Sequence, residues 1–340
     1  MKTKPYPLLI AELSANHNQN LELALKSIKA AKEAGADGIK LQTYTADTLT
    51  LDSDKEYFKI KNGTLWDGET LYSLYQKAYT PWEWHAELFS YAHSLGLLCF
   101  STPFDTTAVD FLEELKNPIY KIASFEINDI PLIQYAAQTQ KPIILSTGIA
   151  TLEEIEEALQ ACYSVGNRDV SILVCTSSYP TPIQNANLAR ITDLQQRFNV
   201  KVGLSDHTMG STAAIVASIL GANLIEKHFI LDRGLGGADS AFSMEPLEFQ
   251  EMKNQIQIAC DSIGESHYEI TKNLESSRMF KRSLFVCKDI QAGELFTPDN
   301  IRSIRPGYGL EPKHLSKILG RRSKCDIQRG EPLKWEMVDS

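Results

Sequence analysis

No Lys/Arg block interrupts this chain, and its net charge of −9 argues against a nucleic-acid binder. No apolar run approaches the length of a membrane span. Residues 1–5 lack the apolar stretch of a signal peptide and run straight into a strand-like segment. The cysteines Cys99, Cys162, Cys175, Cys260, Cys287 and Cys325 are scattered, with no C-x-x-C pair. Several fall in apolar strand or helix patterns, so they read as reduced core cysteines of a cytoplasmic protein. Neither a Walker nor a dinucleotide-binding glycine pattern is present, so no nucleotide is inferred. What remains is an ordinary globular composition, 43% hydrophobic and 23% charged over 340 residues. That length suits one large α/β domain plus a small one.

Short apolar runs do recur, at residues 8–11, 38–41, 97–100, 118–122, 142–145, 170–174, 200–204 and 223–225, each followed by a helix-like stretch. Eight βα units in about 260 residues predict a (β/α)8 TIM barrel. Leu21, Ala24, Leu25, Ile28 and Ala31 share one helix face, with Asn20 as cap and Gly35 as stop. Thr151 to Glu154 reads as a capping box. The rhythm breaks between Thr43 and Pro81, where Thr/Asp-rich and aromatic segments (residues 54–58 and 65–67) predict an insertion on the active-site face. The barrel is expected over 1–265 and a polar linker over 266–281. A compact β-rich module is expected over 282–340, where Asp289-Ile290-Gln291-Ala292-Gly293-Glu294 recurs as Asp326-Ile327-Gln328-Arg329-Gly330-Glu331.

Two histidines stand just past neighbouring strands, His207 in Ser205-Asp206-His207 and His228 in Glu226-Lys227-His228. Alone, they read most simply as unrelated loop histidines. The remaining strand ends change that reading, because they add Glu12, Lys40, Gln42, Thr102, Lys121, Ser124, Glu126, Ser146, Ser177, Tyr179, Ser205 and Glu226 to one rim. Alternation along a strand aims Lys40 with Gln42, Ser205 with His207, and Glu226 with His228 the same way. Lys227 alternates away and is expected to face solvent. His17 is expected in a structural hydrogen-bond network. Two buried lysines call for an anionic ligand or carboxylate partners, and hydroxyls beside them suit phosphate or carboxylate oxygens. Paired imidazoles on such a rim point to a metal.

The segments Ala11-Glu12-Leu13-Ser14-Ala15-Asn16-His17, Lys40-Leu41-Gln42-Thr43, Tyr120-Lys121-Ile122-Ala123-Ser124-Phe125-Glu126, Gly203-Leu204-Ser205-Asp206-His207 and Glu226-Lys227-His228-Phe229 resemble the sialic acid synthase family. Arg305-Pro306-Gly307-Tyr308-Gly309 does so too, in a tail that looks like the antifreeze-like SAF domain. The wording from Gln42 to Thr50 is most similar to the pseudaminic branch. The resemblance covers essentially the whole chain. It implies condensation of phosphoenolpyruvate with an N-acylated amino sugar to a nine-carbon 2-keto acid and phosphate. It implies a divalent metal on His207 and His228, Mn²⁺ foremost, with Mg²⁺ or Co²⁺ as alternatives. Phosphoenolpyruvate would be held by Lys40, Thr102, Lys121, Ser124, Ser146 and Ser205, with Glu126 and Tyr179 as further pocket positions. Gln42 and Asp239 would stand near the sugar. A domain-swapped homodimer is implied, with Arg305 reaching the partner's sugar. Glu12 or Glu226 would handle the water. Ser177 stands where sialic acid synthases often carry Asn, and it is kept as a phosphate contact. The sugar expected is 2,4-diacetamido-2,4,6-trideoxy-L-altrose, with neuraminic or legionaminic precursors as alternatives. Loop 43–80, loop 239–244 and the tail would choose among them. A Schiff-base aldolase using Lys40, Lys121 or Lys227 is the rival enzyme class.

Overall fold

The computed structural model describes residues 6–339 apart from Asn62, Thr64 and Leu65. The readings placed above on residues 1–5, on Leu65 and on the final Ser340 therefore lie outside the described residues. Two compact units divide the chain, Met1–Gly264 and Glu265–Ser340.

In the first unit eight parallel strands close into a barrel in sequential order. They are β1 (Leu8–Glu12), β2 (Gly38–Thr43), β3 (Leu98–Pro103), β4 (Tyr120–Ile122), β5 (Ile143–Ser146), β6 (Val170–Cys175), β7 (Lys201–Asp206) and β8 (Leu224–His228). A helix follows each. The first, Leu21–Glu33, starts where Asn20 accepts a hydrogen bond from the Leu23 N–H at 3.1 Å, and it buries Ala24, Ile28 and Ala31 against the sheet. The Thr151–Glu154 capping box forms at the start of Leu152–Ser164, with both reciprocal bonds made. Among the described residues no helix is long and apolar enough to cross a membrane.

Most strands outrun their apolar runs. β7 continues to Asp206 and β8 to His228, because polar side chains that face the barrel interior keep the alternation going. The interior is thereby layered. Ile10, Phe100, Ile144, Leu173 and Leu224 pack into an apolar floor. Gly203 belongs to that level: a Cβ there would run into the Leu224 carbonyl oxygen and stand 2.7 Å from Leu173. One residue further along the inward-facing series come Glu12, Lys40, Lys121, Ser146, Ser205 and Glu226, all buried. The outward faces pack against the helices in a continuous core that includes Leu9, Ala11, Ile39, Ile122 and Leu204.

The 43–81 insertion is more ordered than its composition suggested. Thr45 and Thr48 form a capping box that starts a short helix, Ala46–Leu49, and a second helix runs over Leu71–Ala78. In the second unit a helix, Lys272–Arg278, lies within the stretch expected as linker. Strands β9 (Ser283–Val286) and β10 (Ile301–Ile304) pair antiparallel. The duplicated hexapeptides face each other with reciprocal bonds. Ile290 and Ile327 exchange backbone N–H···O bonds of 2.9 and 2.8 Å. Asp326 accepts from the Ala292 N–H and Asp289 from the Arg329 N–H, each at 2.7 Å. Gly293 and Gly330 turn the two copies with φ of +84° and +94°, a left-handed conformation that costs glycine little.

Candidate active site

Strand register builds the centre of the site. Glu12 lies opposite Lys40 on one side and His228 on the other, while Ser205 lies opposite Glu226. Partners in parallel register share a face, so these side chains converge inside the barrel. Lys40 Nζ is 2.6 Å from Glu12 Oε2 and 3.8 Å from Glu226 Oε1. Lys121 Nζ is also 3.8 Å from Glu226 Oε1. Thr102 Oγ1 lies 3.2 Å from the Lys40 ammonium, Gln42 donates to Glu12 at 3.2 Å, and Ser205 donates to Glu226 at 3.1 Å.

The two glutamates are driven apart. Burial raises the Glu12 pKa, and the neighbouring Glu226 charge adds to that despite Lys40. Burial would raise Glu226 as well, but Lys121 and Lys40 together hold it below the ordinary carboxylate range. Glu226 is thus the fixed anion and Glu12 the group able to carry a proton. Desolvation lowers Lys121, only partly offset by Glu226. Lys40 faces the same desolvation but is raised overall by Glu12 and Glu226. Charge in this cluster is two lysines against two carboxylates, one of them readily protonated. An arriving dianion therefore finds cationic surplus.

Beside this cluster the rings of His207 and His228 stand 5.2 Å apart. Burial lowers both to about 3, reinforced by His228 at His207 and by Lys40 at His228, so both imidazoles are neutral at pH 7. His207 Nδ1 lies 2.7 Å from the Thr176 carbonyl, which makes Nδ1 the protonated nitrogen and leaves Nε2 with its lone pair free. His228 Nδ1 is buried without a hydrogen-bond partner. Its 3.8 Å approach to Asp239 is no ion pair while the ring is neutral. Two neutral imidazoles with free ring nitrogens fit a divalent ion that takes its other ligands from water and substrate. Among the described residues no set of three His, Cys, Asp or Glu side chains converges as a metal cluster. Tyr179 and Phe242 wall the histidines, with ring centroids 4.5 Å from His207 and 4.9 Å from His228 respectively, and Trp66 of the insertion lies 6.1 Å from Tyr179.

A third group is made of hydroxyls. Ser177 Oγ donates to Ser124 Oγ at 3.2 Å, which also accepts from the Ile149 N–H at 3.2 Å. Ser146 Oγ and one oxygen of Glu126 are buried without partners. Burial, more than Lys121 can offset, raises Glu126 to about 7. Asp239 is buried and accepts from the Ala15 N–H at 3.4 Å.

Of the residues expected at the site, the barrel brings Glu12, Lys40, Gln42, Thr102, Lys121, Ser205 and Glu226 into one contact network, with His228 opposite Glu12 in register. His207, Tyr179 and Asp239 flank it through the His228 ring and its neighbours, and Ser124 joins Ser177. Arg305 belongs to the second unit, exposed at the end of β10. His17 lies 3.1 Å from Thr80 Oγ1 and accepts from the Gln19 N–H, a hydrogen-bond role. Lys227 is not solvent-facing. It is 1% exposed, and its ammonium reaches Asp206 at 2.7 Å and the Thr208 and Gly210 carbonyls. The outward face of a barrel strand meets the helix layer rather than water, which is why alternation alone misplaced it. Sequence reasoning placed Thr176 at a strand end without a role and gave none to Phe242. Thr176 acts through its carbonyl, for which side-chain chemistry gives no signal. Phe242 lay within the 239–244 loop already singled out.

Comparison with known proteins gives the chain a family. Residues 27–268 match the NeuB family and residues 281–339 the SAF domain. The chain is 52% identical over 334 residues to the pseudaminic acid synthase of Helicobacter pylori, covering 98% of each. It is 48% identical over 326 residues to the pseudaminic acid synthase of Campylobacter jejuni subsp. jejuni serotype O:2, covering 96% of this chain and 95% of that one. Among solved structures, the N-acetylneuraminic acid (sialic acid) synthetase of Leptospira borgpetersenii serovar Hardjo-bovis, in complex with citrate, superposes with a TM-score of 0.71 at 30% identity over 81% of this chain and 90% of that one.

Proposed function

The chain belongs to the NeuB family, and from that premise we propose that it condenses phosphoenolpyruvate with 2,4-diacetamido-2,4,6-trideoxy-L-altrose to give pseudaminic acid and phosphate. The observation that carries the reading is the buried Glu12–Lys40–Glu226–Lys121 cluster beside two neutral histidines. Similarity at 52% identity to a pseudaminic acid synthase supports the choice of sugar.

Lys40 and Lys121 neutralise the carboxylate and phosphate of phosphoenolpyruvate, and Thr102, Ser124, Ser146, Ser177 and Ser205 supply hydrogen bonds to their oxygens. The unpartnered Ser146 hydroxyl suits that role. When bound at His207 and His228, a divalent ion, Mn²⁺ foremost and Mg²⁺ or Co²⁺ as alternatives, supplies Lewis-acid polarisation of the open-chain aldehyde. C3 of the enol phosphate bonds to the aldehyde carbon, whose oxygen takes up a proton. Positive charge grows at C2 beside the Glu226 carboxylate, which low permittivity makes an effective counter-charge. Water adds at C2 and loses a proton to Glu12, whose raised pKa fits it for proton transfer near neutrality. The C2–O bond to phosphate then breaks, and the 2-keto acid and inorganic phosphate remain. Gln42 and Asp239 orient the sugar, and Tyr179 and Glu126 shape the pocket. The active assembly is a homodimer in which Arg305 of one chain meets the sugar in its partner's barrel. An exposed Arg305 with no hydrogen bond or ion pair of its own among the described residues supports this.

The Schiff-base alternative loses Lys227, whose amine is enclosed by Asp206 and two carbonyls. The test of the proposal is incubation with phosphoenolpyruvate, Mn²⁺ and a panel of N-acylated hexosamines, reading phosphate release and product mass. Borohydride inactivation in the presence of a keto acid, with activity persisting after chelation, would instead establish the aldolase.

A further inference from the structure

A polar cavity of about 310 Å³ opens beside the hydroxyl group of the site, between the loops that follow β5 and β6. Ser177, Ser178, Asn185, Asn187 and Arg190 line it, and Gly148 and Cys175 form its boundary toward the barrel centre. Arg190 is its only charged residue, and no carboxylate lines it. The Arg190 guanidinium has neither an ion pair nor a hydrogen bond among the described residues. An exposed arginine without a partner is ordinary on an open surface. Here it stands on the wall of a concave, amide- and hydroxyl-lined space, which is a setting for an anion.

The cavity communicates with the proposed phosphoenolpyruvate site. Ser177 lines the cavity and at the same time donates to Ser124 Oγ at 3.2 Å. Gly148 keeps the junction open: a Cβ there would run into Ser177 Oγ and stand 2.8 Å from Ser124 Oγ. Asn187, which lines the cavity, turns this loop with a left-handed φ of +47°, a conformation asparagine adopts more readily than most residues. The aromatic wall of Tyr179 and Phe242 that closes the histidine side does not line this space.

We propose that this cavity is a second anion subsite, which receives inorganic phosphate as it leaves C2, with Arg190 as its cation. The inference rests on the proposed reaction, which frees one phosphate per turnover. Two buried lysines that bind a phosphate ester well would also retain the freed phosphate. A neighbouring arginine in a wetter cavity offers it a weaker second station on the way out.

The test uses the full chain in Mg²⁺ buffer without sugar, so that phosphoenolpyruvate is not consumed. Inorganic phosphate is titrated in the presence of saturating phosphoenolpyruvate and followed by phosphorus NMR, in which the two ligands give separate signals. Phosphate should bind while phosphoenolpyruvate stays bound. Arg190→Gln should weaken that binding about tenfold, the scale of one charge-assisted hydrogen bond. Arg190→Lys should retain part of it, and the phosphoenolpyruvate dissociation constant should change less than about twofold in either variant. Mutually exclusive binding of the two ligands, or phosphate affinity unchanged in Arg190→Gln, would overturn the subsite. So would an equal loss of both affinities, which would make Arg190 part of the phosphoenolpyruvate site. Absence of phosphoenolpyruvate binding in the unaltered protein would instead count against the proposed reaction. Arg190 is exposed at the start of the helix Arg190–Phe198, so these variants should keep the wild-type melting curve.

Discussion

Replacing Lys227 by Met should destabilise the barrel unit strongly, although the residue touches no proposed ligand. Lys227 and Asp206 are register partners on β8 and β7, with side chains 1% and 0% exposed and Nζ 2.7 Å from Oδ2. Asp206 Oδ1 also accepts from the Thr208 N–H and hydroxyl at 2.9 and 2.8 Å. The pair therefore ties the two strands together immediately before His207 and His228. Methionine conserves much of the lysine's volume but leaves the Asp206 carboxylate buried without its cation. Breaking one side of such a pair costs about 3–5 kcal/mol. Urea unfolding at pH 7.5, followed by tryptophan fluorescence, reads this mainly in the barrel, which carries Trp66, Trp82 and Trp84. With a slope of about 3 kcal/mol per M, the midpoint should fall by about 1–1.7 M. Adding Asp206→Asn removes the stranded charge and should recover at least about half of the loss. The same double variant should bind Mn²⁺ about 10–100-fold more weakly, since the backbone carrying both imidazoles loses its brace. A midpoint within about 0.3 M of wild type for Lys227→Met would refute the reasoning.

His207→Ala and His228→Ala should each abolish Mn²⁺ binding, measured by electron paramagnetic resonance, and most turnover, with the fold retained by circular dichroism. Full activity after thorough chelation would remove the metal from the account. Glu126 should give a pH-dependent signature in stability. Its folded pKa, raised by burial to about 7, exceeds the unfolded value, so its contribution is fully present below about 4.5 and is lost as pH rises through about 7. Relative to wild type, Glu126→Gln should therefore gain up to about 3 kcal/mol between pH 5 and pH 8, and a difference that stays flat with pH would contradict the assignment. Mixing His207→Ala chains with Arg305→Ala chains tests the swapped dimer, because one of the two mixed sites is then intact. Random exchange should restore roughly a quarter of wild-type activity, whereas no recovery with mixed dimers present would exclude action in trans.

The barrel was legible because each strand of a parallel barrel is a short apolar run followed by an amphipathic helix, and eight of them recur before residue 265. The strand ends were not. The apolar run stops at residue 225, whereas β8 continues through Glu226 to His228, the two residues that alternation had already aimed the same way. The same layering explains Lys227, since polar residues on the outer face can be buried under helices when an ion pair satisfies them. In the insertion, the Thr45–Thr48 capping box was available in the sequence but was masked by the Thr/Asp-rich composition around it. The tail's repeat, by contrast, anticipated a symmetric module, and the Asp289 and Asp326 side chains close it reciprocally. The opposed environments of Glu12 and Glu226 could not be read from residue types, because both are glutamates on strand ends. Their difference comes from a balance of burial against Lys40 and Lys121, which overcomes desolvation at Glu226 but not at Glu12.

The most direct measurement is a competition in one vessel. Equal concentrations of 2,4-diacetamido-2,4,6-trideoxy-L-altrose and N-acetylmannosamine are supplied with limiting phosphoenolpyruvate and Mn²⁺, and the nine-carbon products are separated by mass and identified by NMR. Pseudaminic acid should account for nearly all product, with one inorganic phosphate released per molecule formed. Predominance of N-acetylneuraminic acid, or the absence of any nine-carbon 2-keto acid, would contradict the proposed function.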